Sequence, residues 1–274
     1  MFFGLIILIL IVIIFLGEYF KEIIYLKISL YNQRCNVNYH NWESAKTMVV
    51  LIFGQSNSAN YGEVKYSVDG NVYNFYKGDL YKVADPLFGA SGKNGSIWCL
   101  LANKLIKENV FENIVLISIS EGNSKVSDWS NNGKFFTKLD NVISEVAKFP
   151  FEITHIFWHQ GEADNFENTS SVSYQRSFKK LINYFESKVV SASIFVSIAT
   201  YHPLVKNKQR GVNLDLQQAQ KQIIDDYENV FLGVNSDNLI SAFDRYDGIH
   251  FSESAQKEMA LEWYKNLINA NKGK

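Results

Sequence analysis

Residues 49–60 read VVLIFGQSNSAN. An apolar run rich in β-branched side chains (Val49, Val50, Ile52) passes without interruption into Gly54 and then into small polar residues. A short apolar run closed by glycine is the pattern of a strand buried on both faces that empties into a tight turn. Ser56 then stands either as a solvated loop serine or as a nucleophile presented at the carboxyl end of a sheet strand. The segments on either side discriminate between the two.

Working outward, further strands are expected at 113–120, 152–158 and 192–199, with a weaker one at 229–233. Helical periodicity lies between and after them, at about 96–108, 134–147, 171–188, 213–227 and 253–270. Strands alternating with helices predict an α/β architecture, a parallel sheet covered on both faces. Ligands of such sheets bind beyond the carboxyl ends of the strands. The loop-rich segment 61–94 is expected to be an insertion over that end. No internal repeat or low-complexity tract is present.

The chain has 274 residues, 47% of them apolar, enough for one large domain with its own core. Its formal charge of −1 comes from interspersed Lys, Asp and Glu, with no basic block to follow a phosphate backbone, so nucleic acid is not an expected partner. Cys35 and Cys99 make neither a disulfide framework nor a metal-ligand spacing. The first seventeen residues, MFFGLIILILIVIIFLG, carry no charged side chain and are followed by no small-residue cleavage site. They read as an uncleaved membrane anchor at the short end of the spanning range. Residues 18–46 are then an amphipathic linker and 47–274 the large domain. Lys21, Lys27 and Arg34 follow the apolar run and argue for a cytosolic domain, whereas a polymeric ligand would argue for an extracytoplasmic one, the side adopted here.

Each strand empties into a polar turn: Gly54-Gln55-Ser56-Asn57, Glu121-Gly122-Asn123-Ser124 and His159-Gln160-Gly161-Glu162-Ala163-Asp164. Asp247 and His250 stand in DGIHFS before the last helix. Together they hold the parts of an acyl-transfer site. A serine hydroxyl needs a base, and a histidine serves when a carboxylate fixes its tautomer. His250 and Asp247 suit those roles, and the Ser56 amide, the Gly122 amide and the Gln160 side chain suit that of oxyanion donors. Gln55 and Asn57 flank the serine as candidate substrate contacts. Glu162 and Asp164 fit a paired-carboxylate mechanism less well than hydrogen bonds that hold their loop, with substrate contact as the second reading. His155, His159 and Glu162 form a weak metal pattern, so no metal and no cofactor are expected.

The blocks GQSN, GNSKVSDW, WHQGEAD and DGIHF resemble, in that order, those of the SGNH (GDSL-like) hydrolases, in the branch of sialate O-acetylesterases and carbohydrate acetylesterases. The resemblance covers about residues 47–270. It implies a flavodoxin-like three-layer α/β/α sandwich and a serine esterase acting on acetylated sugars. By carry-over Ser56 is the nucleophile, Gly122 and Gln160 are oxyanion donors, and Asp247 with His250 completes the triad. Two positions depart from the pattern: Asn123 stands for a glycine, and Ser58 for a residue that is often apolar. A glycan O-acetyltransferase with the same triad, and a catalytically silent, membrane-tethered glycan-binding module, are the alternative functions.

Overall fold

The computed structural model describes residues 21, 33–188, 190–206 and 209–272. The apolar run 1–17, and with it the expected anchor, lies outside them. Among the described residues no helix is long and apolar enough to cross a membrane.

The run at 47–54 forms β1 (Thr47–Gly54), buried along its whole length. The other strands are β2 (Val72–Tyr76), β3 (Asp79–Lys82), β4 (Asn113–Ser118), β5 (His155–His159), β6 (Ser193–Ile198) and β7 (Val230–Asn235). They make one sheet in the order β3-β2-β4-β1-β5-β6-β7. Every pairing is parallel except that of β2 with β3. Set the hairpin β2–β3 aside and the five remaining strands run second, first, third, fourth, fifth, the doubly wound order whose ligand crevice opens where the winding reverses, beside β1.

Among the described residues seven α-helices of four residues or more accompany the strands: α1 (Trp98–Lys107), α2 (Val126–Trp129), α3 (Phe136–Val146), α4 (Glu162–Phe166), α5 (Ser171–Ser187), α6 (Leu214–Asp226) and α7 (Glu253–Lys272). Alternation along β1 sorts its side chains onto two cores. Val49, Leu51 and Phe53 join Leu139 of α3, Phe178 and Leu181 of α5 and Leu216 of α6. Met48, Val50 and Ile52 join Trp98 and Leu105 of α1 and Met259 and Trp263 of α7. The sheet is therefore the middle layer of three. Each fully buried Leu, Phe or Ile contributes about 1.5–3 kcal/mol.

The expected long helices and central strands form within a few residues of their expected limits, because both faces of the sheet are apolar and leave the register no alternative. The segment 61–94 differs. It contributes the hairpin β2–β3, which lengthens the sheet at its edge through the parallel pairing of β2 with β4, so the hairpin turn at Lys77-Gly78 lies at the carboxyl end. Its alternation is interrupted by Asn74 and by Lys77-Gly78, so the strands do not stand out in the sequence. Residues 34–46 pack on the domain: Trp42 stacks on Tyr73 at 5.5 Å, and the Cys35 N–H donates to the Leu80 carbonyl.

Candidate active site

β1 delivers Ser56 through a turn with little freedom. The Gly54 carbonyl accepts from Glu121 N and Ser124 Oγ, both at 3.0 Å, while Gln55 N donates to the His159 carbonyl at 3.1 Å. These bonds stitch the first turn to the turns after β4 and β5. Gly54 has φ +139°, and a Cβ there would collide with the His159 carbonyl oxygen, so only glycine fits. Ser56 then opens a 3-10 turn, Ser56–Ser58, and is 6% exposed.

The two departures have local reasons. Ser58 is fully buried, accepts the Ser120 hydroxyl at 2.9 Å and gives its carbonyl to the Trp98 indole at 2.7 Å, so a hydroxyl ties the first turn to the second. Asn123 has φ +55°, a left-handed conformation that asparagine adopts more readily than other side chains.

His250 and Asp247 come from the loop before α7. The His250 ring nitrogen Nδ1 lies 2.6 Å from Asp247 Oδ2, and Asp247 Oδ1 accepts the backbone N–H groups of His250 (2.7 Å) and Ile249 (2.9 Å). Burial alone would raise the Asp247 pKa; the hydrogen bonds from His250 and Ile249 outweigh it and hold the carboxyl below its ordinary value. An ionised Asp247 keeps the proton on Nδ1 and leaves Nε2 as the basic nitrogen. Tyr61 stacks on the imidazole, centroids 5.0 Å apart and planes 21° apart.

Beneath these residues lies a polar layer. Asn57 Nδ2 donates to Glu162 Oε1 at 2.9 Å and to the Ile249 carbonyl at 3.3 Å. Gln55 Oε1 accepts from Ala163 N at 3.0 Å. Asp164 Oδ2 accepts Val126 N at 2.8 Å and Gln160 Nε2 at 2.6 Å. Gln55, Asn57, Glu162 and Asp164 are all at most 5% exposed, so sugar contact would require them to leave these bonds. Gln160 is fully buried, and its amide also donates to the Ser124 carbonyl at 2.9 Å. With both hydrogens committed, Gln160 would have to give one up to serve an oxyanion. The Gly122 N–H donates to Ser91 Oγ at 2.8 Å, a hydroxyl that can rotate away.

Burial drives two shifts here. It pushes the Glu162 carboxyl up to about 7 against the opposing effects of Asn57 and Arg245, and it pushes the His159 imidazole down to about 3, with the Arg245 charge acting in the same direction. His155 and His159 begin and end β5, about 13 Å apart at strand rise, too far to share one ion. A cleft of about 900 Å³, lined by Phe75, Tyr76, Leu87, Phe88 and Val142 among others, lies beside β2 and includes none of the triad candidates.

Residues 46–269 match a family described as carbohydrate esterase, sialic acid-specific acetylesterase. The chain belongs to that family. It is accordingly a serine hydrolase acting on ester bonds. The esterase is similar in fold to a protein from Arabidopsis thaliana, with TM-score 0.65 and 17% identity over 82% of this chain and 98% of that one. It is also similar to NanS, with TM-score 0.61 and 12% identity over 85% and 100% of the two chains. For a carbohydrate acetylesterase from Xanthomonas citri the TM-score is 0.56 and the identity 14%, over 83% of this chain and 57% of that one. Comparison with curated proteins gave no match.

Sequence reasoning missed Tyr61, Ser91 and Arg245. Arg245 is 2% exposed and donates to the carbonyls of Leu239 (2.7 Å), Ile249 (2.9 Å) and Ser236 (2.9 Å), between the rings of Phe251 and Tyr201. An arginine is among the least buried residue types, so nothing in DRYDGIH marks it as interior. Its place two residues before Asp247 is the one available signal.

Proposed function

We propose that this esterase removes O-acetyl groups from a carbohydrate, with acetylated sialic acid or a related acetylated glycan as substrate, and that Ser56, His250 and Asp247 carry the reaction. The observation that carries the reading is the 2.6 Å Asp247–His250 bond, at the same sheet end to which β1 delivers Ser56. In the mechanism His250 Nε2 takes the Ser56 proton as Oγ attacks the acetyl carbonyl. The oxyanion is met by the Ser56 N–H, whose position at the head of a helical turn leaves it without an intrahelical acceptor, and by the Gly122 N–H once Ser91 turns aside. His250 returns the proton to the departing sugar oxygen, leaving acetyl-Ser56. Water, deprotonated by His250, then attacks the acetyl carbonyl; acetate leaves and Ser56 recovers its proton. Gln160 braces the turns around that centre through Asp164 and the Ser124 carbonyl. The test is acetate release from O-acetylated sialic acid and from a chromogenic acetyl ester by the parent and by Ser56→Ala. Loss in the variant alone supports the reading. Transfer of the acetyl group to a second sugar would make the protein a transferase, and no turnover by the parent would make it a binding module.

We also propose that residues 1–17 anchor the esterase in a membrane with the domain outside the cytoplasm, which the uncharged apolar run supports. Protease added to intact cells then degrades the domain, and full protection until lysis places it inside.

A further inference from the structure

The acid–base loop carries its catalytic side chains near the surface. The Asp247 side chain is 38% exposed and that of His250 15%. Asp247 bonds within its own loop, to Ile249 N and to the ring and N–H of His250. Those contacts shape the loop but do not locate it relative to Ser56. On the Ser56 side the loop is met by the Tyr61 ring stacked on His250, by the Glu63 N–H donating to the Phe251 carbonyl, and by Asn57. The Asn57 contact is at the Ile249 carbonyl, next to His250, which accepts Asn57 Nδ2 at 3.3 Å and Arg245 Nη1 at 2.9 Å. Arg245 fixes the other end of this link to the carbonyls of Leu239 and Ser236 beyond the end of β7.

We propose that Arg245 is a positioning residue of the esterase: with Asn57 it holds the Ile249 carbonyl and so sets the distance and orientation of His250 relative to Ser56. The inference rests on the triad reading above. A buried cation costs several kcal/mol of desolvation unless it is paired and hydrogen-bonded. Here the guanidinium has three carbonyl acceptors and two aromatic faces, and its fixed planar fork suits donors aimed in three directions. Asp237, and Glu162 once it ionises, supply opposing charge. A lysine keeps the charge and loses the fork. Loop closure alone needs none of this, since Asp247 already satisfies the turn amides. Arg245 is also set apart from the substrate by its burial, so its loss should act on turnover and not on binding.

The test compares Arg245→Lys, Asn57→Ala and the double variant with the parent, using steady-state kinetics on an acetyl ester, thermal melting, and the proton resonance of His250 Nδ1, which a short bond to a carboxylate moves far downfield. Arg245→Lys is expected to lower kcat on the order of 100-fold with KM within threefold, since a misplacement of about 1 Å has that effect, and to shift or broaden the downfield proton. The double variant should be no worse than the more damaging single variant by more than about threefold, because both act through one carbonyl. A folded Arg245→Lys with kcat within threefold of the parent, or multiplicative losses in the double variant, overturns the proposal. If Arg245→Lys does not fold, Asn57→Ala decides: reduced kcat with a shifted resonance supports the link, while raised KM with the resonance intact makes Asn57 a sugar contact and overturns it. Should Ser56→Ala retain parental activity, the triad reading fails instead; the resonance still reports on the loop.

Discussion

The turn that carries Ser56 and the loop that carries Asp247 and His250 are held in place by different physical routes. Ser56 follows a strand with no exposed residue, and the backbone groups of Gly54 and Gln55 are bonded to the turns on both sides. Its position is a property of the sheet. His250 and Asp247 sit on an irregular loop with Phe243 and Tyr246 exposed nearby, and their position depends on a few side-chain bonds to main-chain carbonyls. A site built this way has one partner fixed by the hydrophobic core and the other by a polar network. Damage to the first should need a core substitution, whereas the second should yield to single polar changes.

Ser56→Ala tests the fixed side and carries the largest expected effect. It should lower kcat by about three orders of magnitude or more with an unchanged melting temperature, because the hydroxyl has no part in the sheet's bonding. Activity within tenfold of the parent would remove the serine from the mechanism. Gln160→Ala strikes the layer that joins the two sides. It should reduce kcat about 100-fold, the effect of a misplacement of about 1 Å in the turns it braces, and because its amide ties Asp164 to the Ser124 carbonyl, the melting temperature should fall with it. A kcat loss without any loss of stability would show an amide working on the oxyanion and not as a brace.

Tyr61→Leu probes the loop side more gently. The stacked ring and imidazole are worth about 0.5–1.5 kcal/mol beyond area burial, so kcat/KM should fall by up to about tenfold. No change would mean that the His250 orientation owes nothing to the ring. Glu162→Gln has the smallest expected effect on activity, since glutamine can still accept from Asn57. Its consequence lies in the pH dependence of stability. The folded carboxyl, facing Arg245, Asp237 and Asn57, has its pKa raised to about 7 from an ordinary value of 4.5. The folded state therefore holds the proton more tightly, so this group's contribution to stability is greatest below the ordinary value and is lost as pH rises through about 7. Glu162→Gln should flatten the decline in melting temperature across that window; an unaltered profile would show that Glu162 is already ionised in the fold.

Much of this was legible because it depends on repeating patterns. The five central parallel strands and the long helices follow from apolar runs and periodicity, and the four motif turns fall at strand ends and before α7 where parallel-sheet topology collects them. The hairpin β2–β3 was not legible, since the edge strand β3 is short and Asn74 breaks the apolar run of β2 while donating to the carbonyls of Leu116 and Phe88. The bonds of Gln55 and Asn57 were not legible either: as residue types beside Ser56 they suit substrate contact, and only their burial shows them bonded to the loop that carries Glu162 and Asp164, two residues whose spacing already read as loop-holding.

By itself the sequence determined the layers, the order of the central strands and long helices, the family and the residues that make up the motif turns, because each is a local property of side-chain type and spacing. The tertiary structure decided which polar groups face one another. That Asn57 and Arg245 meet at one carbonyl, and that the Gln160 amide has both hydrogens engaged, are consequences of chain segments far apart in sequence being forced together by the two cores. Hydrogen bonds are short and directional, so their partners are set by where the packing brings the backbone and not by the residue that carries the donor.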